Sequence, residues 1–366
     1  MNKGVFKKLT AGVLAGAMMV SLAACGGGAG GNGGDKTAEA VELTGAFLGQ
    51  IDAWPTYQGG IDGTADKYGI KVNMTYFDSG APAIETVPAH QWQVADLGST
   101  PSLMGVLRHD VKIVGVASNE APANAIVARA DNPVFEKKGA VKEFPDIYGD
   151  AESVKGKTFL CTTVSSGHYA LAKYLEALGL KESDVTVKNL EQPQAIKAFE
   201  GGEGDYLVLW TPFLYEAFEK GWKEVANGSQ VGAYCLMLYL ADPEYAKTGE
   251  DGIARFLAMN SVFQDKYNKE ADTLVADITD FFVSFAGLKM TEKDVKLDID
   301  THKIYNVSEQ LEMLKSGELE KMLEDNASFF VAQNKFSEDE LKTLKEKHFN
   351  IDPKFLEAAQ KVQPTA

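Results

Sequence analysis

The sequence predicts an α/β protein of two lobes built on largely parallel sheets, and three observations carry that prediction. From Val41 to about Leu240, short apolar runs of strand length alternate with stretches whose apolar residues recur at helical spacing. Two of the strand-to-helix turns, Gly98-Ser99-Thr100-Pro101 and Thr162-Thr163-Val164-Ser165-Ser166-Gly167-His168, open helices in a way suited to anions. The 366-residue chain is also long enough to bury two separate cores.

Residues 1–24 stand apart from this alternation. Lys3, Lys7 and Lys8 form a basic segment, and Leu9 to Leu22 is an apolar run too short and too rich in Ala and Gly to span a bilayer stably. Leu22-Ala23-Ala24-Cys25 resembles the lipobox of bacterial lipoproteins, which implies export and lipidation at Cys25. Residues 25–40 then read as a Gly-rich tether that lets a folded body move off the membrane.

The elements follow in order. Leu43 to Leu48 is a first strand, and Trp54-Pro55 opens a helix with proline at its first turn. Lys71 to Phe77 alternates like a strand and ends in the turn Asp78-Ser79-Gly80. Val94 to Leu97 runs into a helix for which Thr100 is the expected cap and Leu103, Val106 and Leu107 the apolar face. Val111 to Ser118 and Ala125 to Arg129 are further strands, the latter leaving the first lobe. Residues 130–150 read as an inserted surface loop. Lys157 to Cys161 is a strand, and its helix begins at a Ser165 or Ser166 cap and stops at Gly179. A strand at Val185 to Val187, a helix from Pro193 to Glu200, a buried strand from Tyr206 to Trp210 and a helix after Thr211-Pro212 complete the second lobe. Cys235 to Leu240 is placed to cross back, and from Gly252 onward the chain reads as helical, with capping boxes at Thr291 and Ser337.

Charge and residue usage exclude several functions. Removing residues 1–24 takes away three lysines and no acid, moving the net charge from −16 to −19. Such a surface repels nucleic acid. With only Arg108, Arg129 and Arg255 available, backbone amides and hydroxyls must do much of the work of holding a bound anion. Cys161 and Cys235 lie in apolar runs and are expected as buried free thiols. His90, His109, His302 and His348 show no metal-ligand spacing, and no cofactor is expected. Neither Ser165 nor Ser166 sits in a nucleophile elbow, so no catalytic residue is assigned.

An ordered set of motifs adds a resemblance. Asp78-Ser79-Gly80-Ala81, Leu97 to Pro101, Val154-Lys155-Gly156-Lys157, Ser166-Gly167-His168-Tyr169 and Asp205 through Trp210-Thr211-Pro212 resemble the solute-binding proteins of taurine, alkanesulfonate and nitrate ABC importers, most of all the taurine branch. The similarity runs over roughly residues 43 to 330. It implies a periplasmic-binding-protein-like fold of type II: two lobes joined by two crossover strands, with C-terminal helices. Lobe one would then comprise 41–126 and 233–366, and lobe two 127–232. It further implies a monomeric, extracytoplasmic, lipid-anchored protein that binds a small sulfonate and hands it to an ABC permease and its ATPase. Nitrate, a pyrimidine precursor of thiamine or another organic anion is the alternative ligand. An enzyme like the fungal pyrimidine synthases of similar fold would need a Cys-rich stretch that is not here.

Carried onto this sequence, the sulfonate contacts fall at Ser99 and Thr100 and at Ser165, Ser166, Gly167 and His168, the last through its amide. Asp205 either pairs with the ammonium of an amino-sulfonate or caps a strand end, and Asp52 and Asp78 carry the same two readings. Trp54 and Trp210 either wall the ligand or pack in the core. Two stretches depart from the family pattern close to the expected site: Gln50-Ile51-Asp52-Ala53-Trp54 and Ala89-His90-Gln91-Trp92.

Overall fold

The protein is described by a computed structural model covering residues 40–332 and 334–365; the basic leader, Cys25 and the tether before residue 40 lie outside the described residues. In chain order the strands are β1 (Val41–Phe47), β2 (Ile70–Tyr76), β3 (Val94–Gly98), β4 (Lys112–Asn119), β5 (Asn124–Ala128), β6 (Thr158–Cys161), β7 (Thr186–Asn189), β8 (Tyr206–Trp210), β9 (Lys223–Asn227), β10 (Leu236–Ala241) and β11 (Lys303–Ile304). Two sheets result, one ordered β11-β4-β10-β3-β1-β2 and the other β7-β6-β8-β5-β9.

The sheets are mixed rather than largely parallel. β1 pairs in parallel with β2 and β3, and β6 with β7 and β8. β10, however, runs against both β3 and β4, and β5 against both β8 and β9. The reason lies in the path. β4 ends where the sheets face each other, so a strand entered directly from it must start at that edge and run away from it. The chain makes this crossing at Glu120–Ala123, one strand earlier than Ala125–Arg129, and returns through Gly228–Cys235.

The two crossings are laced together. Glu120 N–H donates to the Cys235 carbonyl at 2.8 Å and Gly228 N–H to the Asn124 carbonyl at 2.9 Å, while Asn124 Nδ2 braces the first crossing from within by donating to the Glu120 carbonyl at 2.9 Å. They approach so closely that a Cβ on Gly228 would lie 2.7 Å from the Ala121 carbonyl oxygen. Glycine is required there by space, not by φ.

The second sheet is buried on both faces, and its strands show why they read as continuous apolar runs. Ile126, Phe159, Tyr206 and Val208 point into one core with Tyr169, Leu171, Tyr174 and Leu175 of the Ser166–Ala177 helix. Their neighbours Val127, Leu160, Leu207 and Leu209 point into the other, against Ile196 and Phe199 of the Gln192–Glu200 helix. The helix after β6 stops as its Gly179 implies: Gly179 N–H bonds the Glu176 carbonyl and Leu180 N–H the Leu175 carbonyl, with Gly179 at φ +70°. Residues 130–150 are more than a surface loop, since Val134 and Ile147 are buried in the same core. Cys161 and Cys235 are free and buried. The first sheet packs under helices that include Glu250–Glu270 and Glu318–Ala332, and the capping boxes at Thr291 and Ser337 are both formed. Among the described residues, no helix is long and apolar enough to cross a membrane.

The lacing predicts that Gly228→Ala lowers stability by about 1–3 kcal/mol, the usual cost of forcing a methyl into a filled site. Chemical denaturation of the purified protein measures this directly.

Candidate functional site

The carboxyl ends of β1, β2 and β3 face those of β6 and β8, the place where open α/β sheets form crevices. Between them lies a cavity of about 20 Å³. Leu48 and Gln50 beyond β1, Ser79 and Gly80 beyond β2, and Gly98 and Pro101 at the end of β3 line it from the first sheet. Ser165 and Ser166 beyond β6 and Trp210 at the end of β8 line it from the second, and Glu120 of the first crossing and Met237 of β10 complete the wall. One water needs roughly 10–15 Å³, so the two sides are nearly in contact. A Cβ on Gly98 would lie 3.0 Å from Ser166 Oγ, and Ser79 Oγ donates to Glu191 Oε1 at 3.4 Å.

Two helix starts meet here, built differently. At the Ser166–Ala177 helix, Ser165 is the cap: its Oγ accepts from His168 N–H at 3.1 Å and donates to the Thr162 carbonyl at 2.6 Å. The amides of Ser166 and Gly167, the first two of the helix, have no intrahelical acceptor. The preceding Val164 sits at φ +59°, a strained conformation for a β-branched residue, and its N–H donates to His168 Nδ1 at 3.2 Å. That bond makes Nδ1 the acceptor and leaves Nε2–H for Glu182, 2.8 Å away. The His168 bond in turn holds the Glu182 carboxyl below its usual range. The other helix, Ser99–His109, begins after Gly98, which offers no side-chain cap. Its first amides likewise have no intrahelical acceptor.

The sequence-derived residues therefore divide. Ser165, Ser166 and Trp210 line the cavity, and Gly167 stands beside Trp210 in a tight fit, where a Cβ would lie 3.2 Å from Val208 and 3.5 Å from Trp210. Thr100 is not a cap. It lies inside the first turn, fully buried, and its hydroxyl and that of Ser99 meet Asn326 of the Glu318–Ala332 helix at 3.3 and 3.5 Å. His168 offers neither amide nor ring to the cavity, because Ser165 and Glu182 engage them. Trp54 is a core residue, fully buried and edge-on to Phe263 at 5.7 Å. Asp78 is exposed in the turn after β2. Asp205 precedes β8, and its Oδ2 accepts from Thr158 N–H at 2.8 Å, so it caps the entry of the strand whose exit carries Trp210. Five residues of strand put roughly 16 Å between the two positions.

Sequence reading missed Glu120, Gln50, Ser79 and Met237 as lining residues. Gln50 at least lay in a stretch marked as a departure from the family. The other departure does not reach the cavity: Trp92 donates to the Ala83 carbonyl at 3.1 Å, and His90 pairs with Asp242 at 2.8 Å.

Behind the wall is a buried group of acids. Gln50 Nε2 donates to Glu120 Oε2, and His302 Nε2 lies 3.9 Å from the same oxygen. Asp52 and Asp96 sit together, both buried, with no other hydrogen-bond partner for any of their four oxygens. Burial, with the charge of Glu120 added, pushes Asp52 up to about 6. Burial and the Asp52 charge hold Asp96 well above the usual carboxylate range. Two such neighbours cannot both ionise, so they share a proton. Burial alone would lower His302, but Asp298 and Glu120 more than offset it and raise the imidazole to about 9. Among the described residues no group of three or more His, Cys, Asp or Glu is arranged to hold a metal ion.

With this geometry in hand, comparison with known proteins is informative. The sequence signature of the NMT1-like family matches residues 36–222, just over half of the chain. A Brachyspira hyodysenteriae protein provisionally named an ABC transporter periplasmic binding protein is 23% identical over 340 residues, covering 93% of this chain and 94% of its own. The taurine-binding periplasmic protein of Escherichia coli is 29% identical over 199 residues, 54% of this chain and 56% of its own. Among solved structures, the periplasmic aliphatic sulphonate binding protein SsuA from Escherichia coli superposes with a TM-score of 0.61 at 17% identity, over 88% of this chain and 92% of that one. The last likeness establishes a shared fold.

The buried imidazole generates a pH prediction. Its folded pKa, about 9, lies above the ordinary 6.5. Protonation therefore stabilises the fold fully below about 6.5, and that stabilisation is lost as pH rises through about 9. The difference in unfolding free energy between the wild type and His302→Gln should shrink by on the order of 3 kcal/mol across this window. Urea titrations of both proteins at several pH values measure it.

Proposed function

This chain belongs to the NMT1-like family, and from that premise we propose that it is the extracytoplasmic solute-binding component of an ABC importer, lipid-anchored at Cys25 and selecting a small sulfonate such as taurine. The observation that carries this reading is the meeting of two helix starts, at Gly98 and at Ser166, across one cavity between two sheets. Each presents amides that its own helix cannot use, at the positive end of a helix dipole. An anion between them bridges both sides and stabilises the closed arrangement over an open one. Trp210, Leu48 and Met237 shield its apolar part. The taurine-binding relative supports the same class of ligand.

In this proposal the two lobes meet at the crossings Glu120–Ala123 and Gly228–Cys235, so that the expected boundary at 126/127 moves back ahead of β5, whose whole length belongs to the second sheet. They rotate about the laced crossings, and closure is what the permease reads while its ATPase supplies the energy. No step of chemistry is required of the protein.

A ligand panel followed by thermal unfolding tests the reading. Taurine and short alkanesulfonates at 100 times their dissociation constants should add about 2.7 kcal/mol of stability. A shift with nitrate or a pyrimidine alone would overturn the sulfonate assignment. Gly98→Val, which inserts bulk 3.0 Å from Ser166 Oγ, should hold the sides apart and weaken sulfonate binding by roughly 10-fold or more while leaving the melting temperature of the free protein nearly unchanged. Calorimetric titration reads the loss.

A further inference from the structure

We propose that Glu120 and Gln50 form a subsite for a cationic group, so that the solute is a short zwitterion with its anion at the helix starts and an ammonium at this wall. The inference rests on the reading of the cavity as the solute site, and it assigns the positive end of the solute to residues that sequence reasoning passed over.

Three observations carry it. The first is the orphaned acceptor. A carboxylate accepts but does not donate, so the Gln50 amide must turn Nε2 toward Glu120. That choice leaves Gln50 Oε1 without a partner on a side chain only 3% exposed that lines the cavity. A buried acceptor of this kind demands a donor. The second is the company it keeps. Glu120 lines the same cavity at 1% exposure, so the wall presents a carboxylate and a carbonyl oxygen together, a pair of acceptors matched to an N–H-rich cation. The third is the balance of charge. Among the described residues, no Lys, Arg or His lines the cavity. Behind the wall stand Asp52, Asp96 and Asp298, and among the described residues the buried cation facing Glu120 is His302 at 3.9 Å. A solute bearing only negative charge would meet this field uncompensated; a zwitterion would align with it. Asp205, capping the far end of β8, is not available for the task.

The test uses pairs of solutes that differ in one group. Taurine and isethionate share a sulfonate and carbon chain, but isethionate carries a hydroxyl in place of the ammonium. Calorimetric titration of wild type, Glu120→Gln and Gln50→Leu with both is expected to show three things. Wild type prefers taurine; Glu120→Gln weakens taurine by roughly 10- to 100-fold, the loss typical of a charged hydrogen-bond partner; and isethionate changes less than about 3-fold. Gln50→Leu should erode the same preference, keeping the question open to measurement should Glu120→Gln fail to fold. Equal losses for both solutes, or a wild type indifferent between them, overturn the subsite while leaving the sulfonate site intact. Should wild type bind no sulfonate, that reading falls separately, and β-alanine against propionate poses the same question. A preference for β-alanine that Glu120→Gln removes supports the subsite, and its absence overturns it.

Discussion

The hydrogen bond from Glu120 N–H to the Cys235 carbonyl holds the two chain crossings side by side, and the rest of the architecture depends on it. Because the chain passes between sheets there, each sheet must accept one strand that starts at the shared edge and runs away from it. β5 and β10 are those strands. With them in place β1, β2, β3, β4, β6, β7, β8 and β9 end at the shared edge, where the helices that follow β3 and β6 begin, and the two-residue strand β11 runs with β10. The cavity is a consequence of that topology. The same crossing also fixes Glu120, whose backbone ties the sheets together while its side chain enters the cavity wall.

This arrangement gives the cavity two poles. On the side of Gly98 and Ser166 are peptide amides at helix N-termini; on the side of Gln50 and Glu120 are acceptor oxygens backed by buried acids. Burying several carboxyls costs a great deal unless some are neutral or paired. The structure uses both devices, a shared proton for Asp52 and Asp96 and the His302 imidazole for Glu120 and Asp298. Neither device cancels the negative field entirely, which is why the polarity survives at the wall.

Much of this was legible in the sequence, and the failures share a cause. The β6 turn was readable because its logic is local: Ser165 caps an amide three residues away, and Gly179 ends the helix within the same stretch. Trp210 was readable because strand exits in α/β sheets face the crevice. The same rule, applied to Asp205, would have removed it, since Asp205 stands at the entry of that strand. Thr100 could not be placed from local pattern, because its partner Asn326 lies 226 residues away and outcompetes the capping geometry. Trp54 was drawn into the core by Phe263, another distant partner. Glu120 was hidden for the opposite reason. It is a single acid between two apolar strands, and only the crossing of the chain reveals that it faces a cavity.

The small volume of the cavity bears on how such a site would discriminate. With about 20 Å³ between its walls, the cavity tolerates no bulky occupant, and in the proposed function a larger solute is admitted by rotation about the crossings. The energy of that rotation is charged against every solute alike. Discrimination then falls to groups that touch both sides at once. An anion alone can bridge the helix starts. In the proposed site, a solute that also donates to Gln50 Oε1 relieves an acceptor that is otherwise buried without a partner. In the proposed site selectivity is therefore set at the crossing as well as at the helix starts, because the residue whose backbone laces the crossings also places its carboxyl in the cavity wall.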